Sequence, residues 1–458
     1  MTVDAPFGLS SVALLVDLYE LTMMQAYNTY GMNQTATFDL FVRRLPECRN
    51  FLLTAGLGTV LELLENLSFG ADDLAYLEST GLFEAEFLEQ LRGFRFTGDV
   101  DAMPEGTVAF ALEPLLRVTA PLPQAQLIET LLMNQVHLQT MLASKAARVL
   151  LGARGRRVVD FGLRRMHGAD AGLAGARAYW IAGLAATSNV LAGRRYGIPI
   201  TGTMAHSFIQ ALDDEMEAFR RFAAVYPETV LLVDTYDTLE GVDEAVRLAS
   251  ELGEGCRLRG IRLDSGDLVA LSREARRRLD QAGLSSLKIF ASGDLDEYRI
   301  THLLADGAPI DAFGVGTRMG TSNDAPSLDI AYKLAELEGL GRLKLTANKD
   351  TWPGVKQVWR RHHDDGTPLG DTLALADEEL PGEPLLVPVM RDGKRTEAGN
   401  EPLTVARRRA GAEIARLPER LRRLEPADPR FTVAISERLR DERRDVIQRL
   451  HQGRALAR

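Results

Sequence analysis

Five short stretches place reactive side chains at the ends of apolar runs. The first, VVDFGLRRMHG, spans Val158–Gly168 and sets Asp160, Phe161, Arg164 and Arg165 beside a strand-like run. An apolar strand does not need an aromatic ring and two adjacent guanidinium groups at its exit. A pocket that stacks a flat, anionic ring does. Phe161 offers an aromatic face, and Arg164 or Arg165 can bind a carboxylate through planar, charge-assisted hydrogen bonds. Asp160 can orient an arginine or accept a hydrogen bond. The blander reading is a salt-bridged loop at a strand end, so the motif draws its weight from its companions.

The second stretch, ITGTMAHSF, sets His206 between a strand-like run and a helical one, in a loop with Gly202, Thr203 and Ser207. An imidazole is a competent nucleophile that can accept a phosphoryl group and pass it on. Free backbone donors in such a loop can stabilise the incoming oxygens. RLDSGD then combines Arg262, Asp264, Ser265 and Asp267. Carboxylates there can bond ribose hydroxyls or hold magnesium through its retained waters, although an ordinary Asp-Ser-Gly turn carries the same letters. ASGDLDE supplies Ser292 and Gly293, with Asp294 and Asp296 in the following turn, and GVGTR supplies Gly314, Gly316, Thr317 and Arg318. Backbone N–H groups at glycine turns and helix starts are ready anion sites. Neither stretch has the dinucleotide fingerprint in its strand–turn–helix context, and no GxxxxGK(S/T) loop or HExxH motif occurs. His362 and His363 fall in a polar RRHHDDG turn and read as a solvent-facing loop.

These side chains need a scaffold that brings separate strand ends together. The opening LLVDLYELTMMQAY places Leu14, Leu18, Leu21 and Met24 at helical spacing, with Tyr19 among them. TATFDLFVRRL turns to alternation and predicts a strand from Thr35 to Arg43; FRFTGDV and VAFALEPLLRVTA predict two more. A helix is expected from Gln124 to about Leu151. RVVDFG, TSNVLAG, IPITGTM, TVLLVDT, LRGIRLD, LKIFASG and DAFGVGT then read as short strands separated by helical segments. They are apolar on both faces, as a parallel sheet covered by helices requires. Because candidate ligands follow five different runs rather than one crevice, an irregular (β/α) barrel is favoured over an open doubly wound sheet. Beyond Leu345, VKQVWRRHHDDGTPLGDTLAL and EPLLVPVMRDGKR look like hairpins, and the Arg- and Glu-rich tail like a solvated helix.

With 458 residues, the chain exceeds the length at which a single core usually divides. A net charge of -10 argues against a general nucleic-acid binder without forbidding a small basic pocket. Cys48 and Cys256 are too few for a disulfide framework or a cysteine zinc site. The start MTVDAPFGLSSVALLVDLYE lacks a basic leader and a long apolar run, so a cytoplasmic protein is expected.

The set DLYELTM, FDLFVRRLP, DFGLRR, GTMAHSF, DTYDT, RLDSGD, SGDLDE and FGVGTR resembles the nicotinate phosphoribosyltransferase family in content and order, over about residues 10 to 350. That resemblance implies an irregular α/β barrel of the quinolinate/nicotinate phosphoribosyltransferase type with a second α/β domain. The implied division is an N-terminal domain over 1–120, a barrel over 121–345, and a region over 346–458 partly packing back on the first. It also implies ATP-dependent joining of nicotinate to 5-phosphoribosyl 1-diphosphate, giving nicotinate mononucleotide and diphosphate, with magnesium required and a homodimer as the assembly. By the same likeness, Phe161 and Tyr19 sandwich the pyridine ring and Arg164 or Arg165 takes its carboxylate. His206 becomes a phosphohistidine, and Arg262 and Asp264 act near ribose and diphosphate. Thr203, Ser207, Ser292, Gly293, Gly314, Gly316 and Thr317 complete the substrate site. Two departures stand out: no cysteine-rich C-terminal metal site is possible, and Met204 occupies a loop position where related chains often carry a polar residue. A nicotinamide phosphoribosyltransferase, or a non-catalytic phosphosugar-binding regulator on the same barrel, remain the alternatives.

Overall fold

Six short apolar runs build an all-parallel sheet within Lys145–Asn323, one of two compact units. The computed structural model describes residues 12–346 and 351–456, with side chains to 452. The opening MTVDAPFGLSS, read above for the absence of a leader, lies outside them. The six strands are β1 (Arg157–Asp160), β2 (Ala186–Thr187), β3 (Val230–Leu232), β4 (Gly260–Leu263), β5 (Lys288–Ala291) and β6 (Ala312–Val315). Their order in the sheet is β2-β1-β6-β5-β4-β3.

Register brings apolar side chains into a row. Leu231 and Ile289 both align with Ile261, while Ala291 and Val158 both align with Phe313. All six are buried, and each of the Val, Leu, Ile and Phe side chains contributes about 1.5–3 kcal/mol relative to exposure. Helices cover the sheet through periodic apolar faces. Val242, Ala245, Leu248 and Ala249 are buried on Thr238–Leu252; Leu268, Ala275 and Leu279 are buried on Leu268–Gln281. Asp237, Asp267 and Asp296 cap the helices that follow β3, β4 and β5, each side chain accepting from backbone N–H groups of the first turn. This is the barrel-type α/β layer that the resemblance implies. Among the described residues its ladder runs from β2 to β3 without closing.

Two expected strands form only in part. TSNVLAG contributes only Thr187, the second residue of β2, to the sheet; the chain then enters the helix Val190–Tyr196 because the Asn189 side chain accepts from Ala192 N at 3.1 Å and caps it. IPITGTM is reduced to an isolated bridge between Thr187 and Ile200. The single helix expected over 124–151 is two, Leu122–Leu127 and Glu129–Gly152.

The other unit comprises the described residues of Met1–Ser144 and Asp324–Arg458. Its main sheet has Thr35–Val42 between two antiparallel partners, Pro114–Pro121 and Ile330–Leu337. Returning chain therefore completes an N-terminal sheet, and it does so from residue 324 onward, ahead of the expected 346. Val387–Arg391 extends the same sheet beside Asp99–Ala102. Both expected hairpins are present, as Lys356–His362 with Pro368–Leu375 and as Val387–Arg391 with Lys394–Arg395. The tail forms the helix Glu437–Leu456.

Candidate active site

The strand ends of the parallel sheet converge on Arg262, the third residue of β4. Its Nε donates to Ser292 Oγ at 2.7 Å, Nη1 to Thr203 Oγ1 at 2.8 Å, and Nη2 to Asp264 Oδ1 at 2.6 Å. Nη1 also reaches the Met204 carbonyl at 3.4 Å, so the backbone of the unusual Met204 is a working part of the loop. Ser292 Oγ in turn donates to Asp264 Oδ1. Burial would lift the Asp264 carboxyl; the hydrogen bonds from Ser292 and Arg262, with the charges of Arg262 and His206, outweigh it and hold the group below the usual carboxylate range. Asp264 therefore stays ionised, and three loops are clamped around one guanidinium.

A second carboxylate organises this centre from β3. Asp234 Oδ2 accepts from Asp264 N and from Ser265 Oγ, both at 2.8 Å. Its Oδ1 is buried without a hydrogen-bond partner among the described residues. Next to it, Thr235 Oγ1 lies 3.2 Å from His206 Nδ1. The surroundings are acidic: Glu215 is pushed up to about 7 by burial and by Glu244, Asp214, Asp234 and Glu240. Sequence reasoning misses Asp234. The available signal is that Asp160, Asp234 and Asp264 all stand just where an apolar strand ends.

Phe161 sits at the exit of β1, with its N–H bonded to the Val315 carbonyl at 2.9 Å. Arg262 Cζ lies 5.5 Å from its ring centroid, within cation–π range, and the Phe290 ring is 5.8 Å away at 42°. Among the described residues Asp160 does not pair with an arginine. Its carboxylate accepts from Gly162 N and Thr187 Oγ1, both at 2.7 Å, and fixes the turn that carries Phe161. Burial pushes the Asp160 carboxyl up against the pull of those two donors. A cavity of about 560 Å³ reaches Phe161, Thr203 and Phe290 from the other end of the sheet: Arg157, Val230, Lys288 and Ala312, at the N-terminal ends of their strands, line it, and Arg262, Asp264, Ser292 and His206 do not.

The remaining expected residues are distributed less tightly. Arg164 and Arg165 stand exposed on the turn Leu163–Arg165, and Ser207 is exposed at the start of the short helix His206–Gln210. Gly293 has φ +88, and any Cβ there would run into the Asp264 carbonyl. Gly316 and Thr317 form the turn after β6, which Arg318 ties to the turn after β5 through Asp294 (2.6 and 2.8 Å) and Asp296 (3.2 Å). Asp267 serves as a helix cap. Tyr19 lies in the other unit on the helix Leu18–Thr29, 44% exposed, with its hydroxyl raised by burial and by the carboxylates of Glu129, Glu20 and Asp17.

Two family models match the chain: the nicotinate phosphoribosyltransferase N-terminal domain over residues 14–137 and the nicotinate phosphoribosyltransferase family over 156–350. Nicotinate phosphoribosyltransferase pncB2 of Mycobacterium tuberculosis (strain ATCC 25618 / H37Rv) is 53% identical over 427 residues, covering 93% of this chain and 92% of that protein. Nicotinate phosphoribosyltransferase of Bacillus subtilis (strain 168) is 46% identical over 384 residues, covering 81% and 77%. Among solved structures, human nicotinic acid phosphoribosyltransferase superposes with a TM-score of 0.84 at 31% identity, covering 93% of this chain and 99% of that one.

Proposed function

The chain belongs to the nicotinate phosphoribosyltransferase family, and from that premise we propose that its Arg262-centred site joins nicotinate to 5-phosphoribosyl 1-diphosphate. It is an enzyme of this reaction type, which yields nicotinate mononucleotide for NAD salvage. The observation that carries the site assignment is the clamp of Thr203, Asp264 and Ser292 on Arg262, with that guanidinium lying over Phe161.

The pyridine nitrogen attacks the anomeric carbon as the C–O bond to diphosphate breaks, and positive charge develops on the sugar. Phe161 stacks the ring, with Tyr19 as its opposite face. Arg165 or Arg164 takes the carboxylate, their exposed forks free to reach a bound anion. Asp264, ionised, and Arg262, held in place by its three partners, lie near the ribose and the diphosphate. The turns bearing Gly293 and Gly316, with Thr317, present donors to the 5-phosphate, and Ser292 braces them through Arg262. Holding the reactants in line is the main source of rate in such a displacement.

ATP acts as co-substrate, its γ-phosphoryl group moving to His206 as ADP departs, which makes the enzyme an ATP-coupled ligase. Thr235 holds Nδ1, which leaves Nε2 as the acceptor, and the Ser207 hydroxyl borders the same helix start. The side chains also fit magnesium held partly by substrate. Asp234 keeps a buried oxygen without a partner, while no group of three or more His, Cys, Asp or Glu among the described residues forms a cage by itself. Asp234 and Asp264 would hold the ion together with diphosphate oxygens, and when bound it supplies charge to the leaving group. No helix among the described residues is long and apolar enough to cross a membrane. The proposed homodimer and its cytoplasmic location rest on the family likeness alone.

The test is chromatography of mononucleotide and ADP from purified protein, magnesium and 5-phosphoribosyl 1-diphosphate, with nicotinate or nicotinamide, with and without ATP. Product from nicotinate with ADP formation is expected. Product only from nicotinamide transfers the assignment to the amide-using relatives, and no product from either rejects catalysis. In the same assay His206→Ala should lose ATP stimulation and labelling by γ-phosphate while keeping its melting temperature. A variant still labelled would remove His206 from that role.

A further inference from the structure

We infer that Gly314 is a positioning residue that seats the Phe161 ring, rather than part of the phosphate cradle. The inference rests on the reading that Phe161 stacks the pyridine ring, and it concerns what holds Phe161 in place.

Gly314 lies inside β6, opposite Val159 of β1, whereas Gly316 lies past the end of the ladder. Its neighbours in register belong to the sheet, so its amide is not at a loop tip where a phosphate docks. Nor does its backbone demand glycine, because it is absent from the positive-φ positions. The demand is for space. A Cβ on Gly314 would lie 2.6 and 2.7 Å from Cδ2 and Cε2 of Phe161, and 2.9 Å from Cε1 of Phe290. Ordinary contact begins near 3.4 Å, so the ring edge rests where a side chain would otherwise be. Arg262 lies over the ring at 5.5 Å and Phe290 flanks it at 5.8 Å, while the cavity that Phe161 lines leaves the ring a side toward which it can be pushed. Arg262 is itself fixed by Ser292, Thr203 and Asp264. An added methyl therefore presses first on the Phe161 ring, which it meets at 2.6 and 2.7 Å, and less closely on Phe290 at 2.9 Å.

Misplacing a substrate-positioning group by about 1 Å can lower efficiency by as much as a hundredfold. Gly314→Ala should raise KM for nicotinate by about tenfold or more. KM for 5-phosphoribosyl 1-diphosphate should change by less than about twofold, since no phosphate contact is lost. A role in the phosphate cradle predicts the reverse split, and that result would overturn the inference. The Phe161→Ala background provides the decisive control. If Gly314 acts through the ring, adding Gly314→Ala to Phe161→Ala should change nicotinate KM no further; an undiminished effect there would refute the seat. Should Gly314→Ala fold poorly, thermal melting settles the same point. The double variant should regain most of the melting temperature of Phe161→Ala if the main clash is with the ring, Phe290 at 2.9 Å accounting for the remainder, and a loss as large as in the Phe161 background counts against the inference. Phe161→Ala alone separates the underlying reading: an unchanged nicotinate KM there would refute stacking on Phe161, while the melting comparison would still judge the seat.

Discussion

Arg262 spends all three of its guanidinium nitrogens on Ser292, Thr203, Met204 and Asp264, so it serves as a fixed post rather than a free anion receptor. The carboxylate of nicotinate is left to a guanidinium that is not yet engaged, which favours the exposed pair Arg164 and Arg165. A hydrogen bond to a charged group is worth about 1.5–3 kcal/mol, a factor of roughly ten to a hundred in affinity. Arg165→Ala should therefore raise KM for nicotinate by that factor, while KM for 5-phosphoribosyl 1-diphosphate stays within about twofold. Initial rates with each substrate varied in turn check this; equal loss for both substrates would refute the carboxylate role, and the same split in Arg164→Ala alone would move it one residue. At this scale the residues that the structure brings together around Arg262 were largely legible. Phe161, His206, Arg262 and Asp264 announce themselves because charged and aromatic groups follow apolar runs without a folding reason to be there. Asp234 did not, because its meaning lies in partners thirty residues away, Asp264 N and Ser265 Oγ, that no local pattern shows. Ser292 was legible in place but not in role: its hydroxyl braces Arg262 and Asp264.

The helix Leu18–Thr29 that carries Tyr19 is tied to the start of Glu129–Gly152 by a buried carboxyl. Glu20 is fully buried, with Oε1 accepting from Thr130 N at 2.7 Å and Oε2 lacking a hydrogen-bond partner among the described residues. Burial pushes its pKa up to about 7; the Thr130 donor opposes this, and Glu129 and Asp17 add to it. A carboxyl raised in the folded state stabilises the fold below its unfolded pKa, and that contribution is lost as pH rises through the folded value. The window runs from about 4.5 to about 7. Glu20→Gln keeps an oxygen for Thr130 N and removes the charge. The melting temperature of the variant relative to the parent should therefore climb from pH 5 to about pH 8 by scanning fluorimetry. A pH-independent difference would show that Glu20 does not hold a proton in the folded protein. Helix and strand types were readable where apolar spacing was long and regular, as at Leu268–Gln281 and Thr35–Val42. They were misread at TSNVLAG, where the apolar letters suggested a strand but Asn189 caps a helix after only two strand residues. Nor was the return of Ile330–Leu337 to Thr35–Val42 visible, since strand pairing across nearly three hundred residues leaves no local trace.

For the whole molecule, the open question is how many chains build one site. Tyr19 belongs to one compact unit, while Phe161, His206 and Arg262 belong to the other, and the proposed homodimer lets Tyr19 complete the pocket of its neighbour. Such an arrangement has a quantitative signature. Tyr19→Ala and His206→Ala should each be nearly inactive in the ATP-stimulated assay. If Tyr19 serves the partner's site, a heterodimer of the two variants has both lesions in one site and leaves the other intact. Random re-pairing of an equal mixture makes half the dimers mixed, each with one working site of two, so about a quarter of parental activity should return. If Tyr19 instead serves the site of its own chain, every site in the mixture carries one lesion and no activity returns. Light scattering on the same samples fixes the denominator: a fully active monomer would exclude sharing altogether. Recovery near a quarter would mean that neither chain alone holds a complete pyridine pocket. Subunit association would then be a requirement for binding nicotinate, and dilution below the dimer dissociation constant should abolish turnover with unaltered folding of each chain.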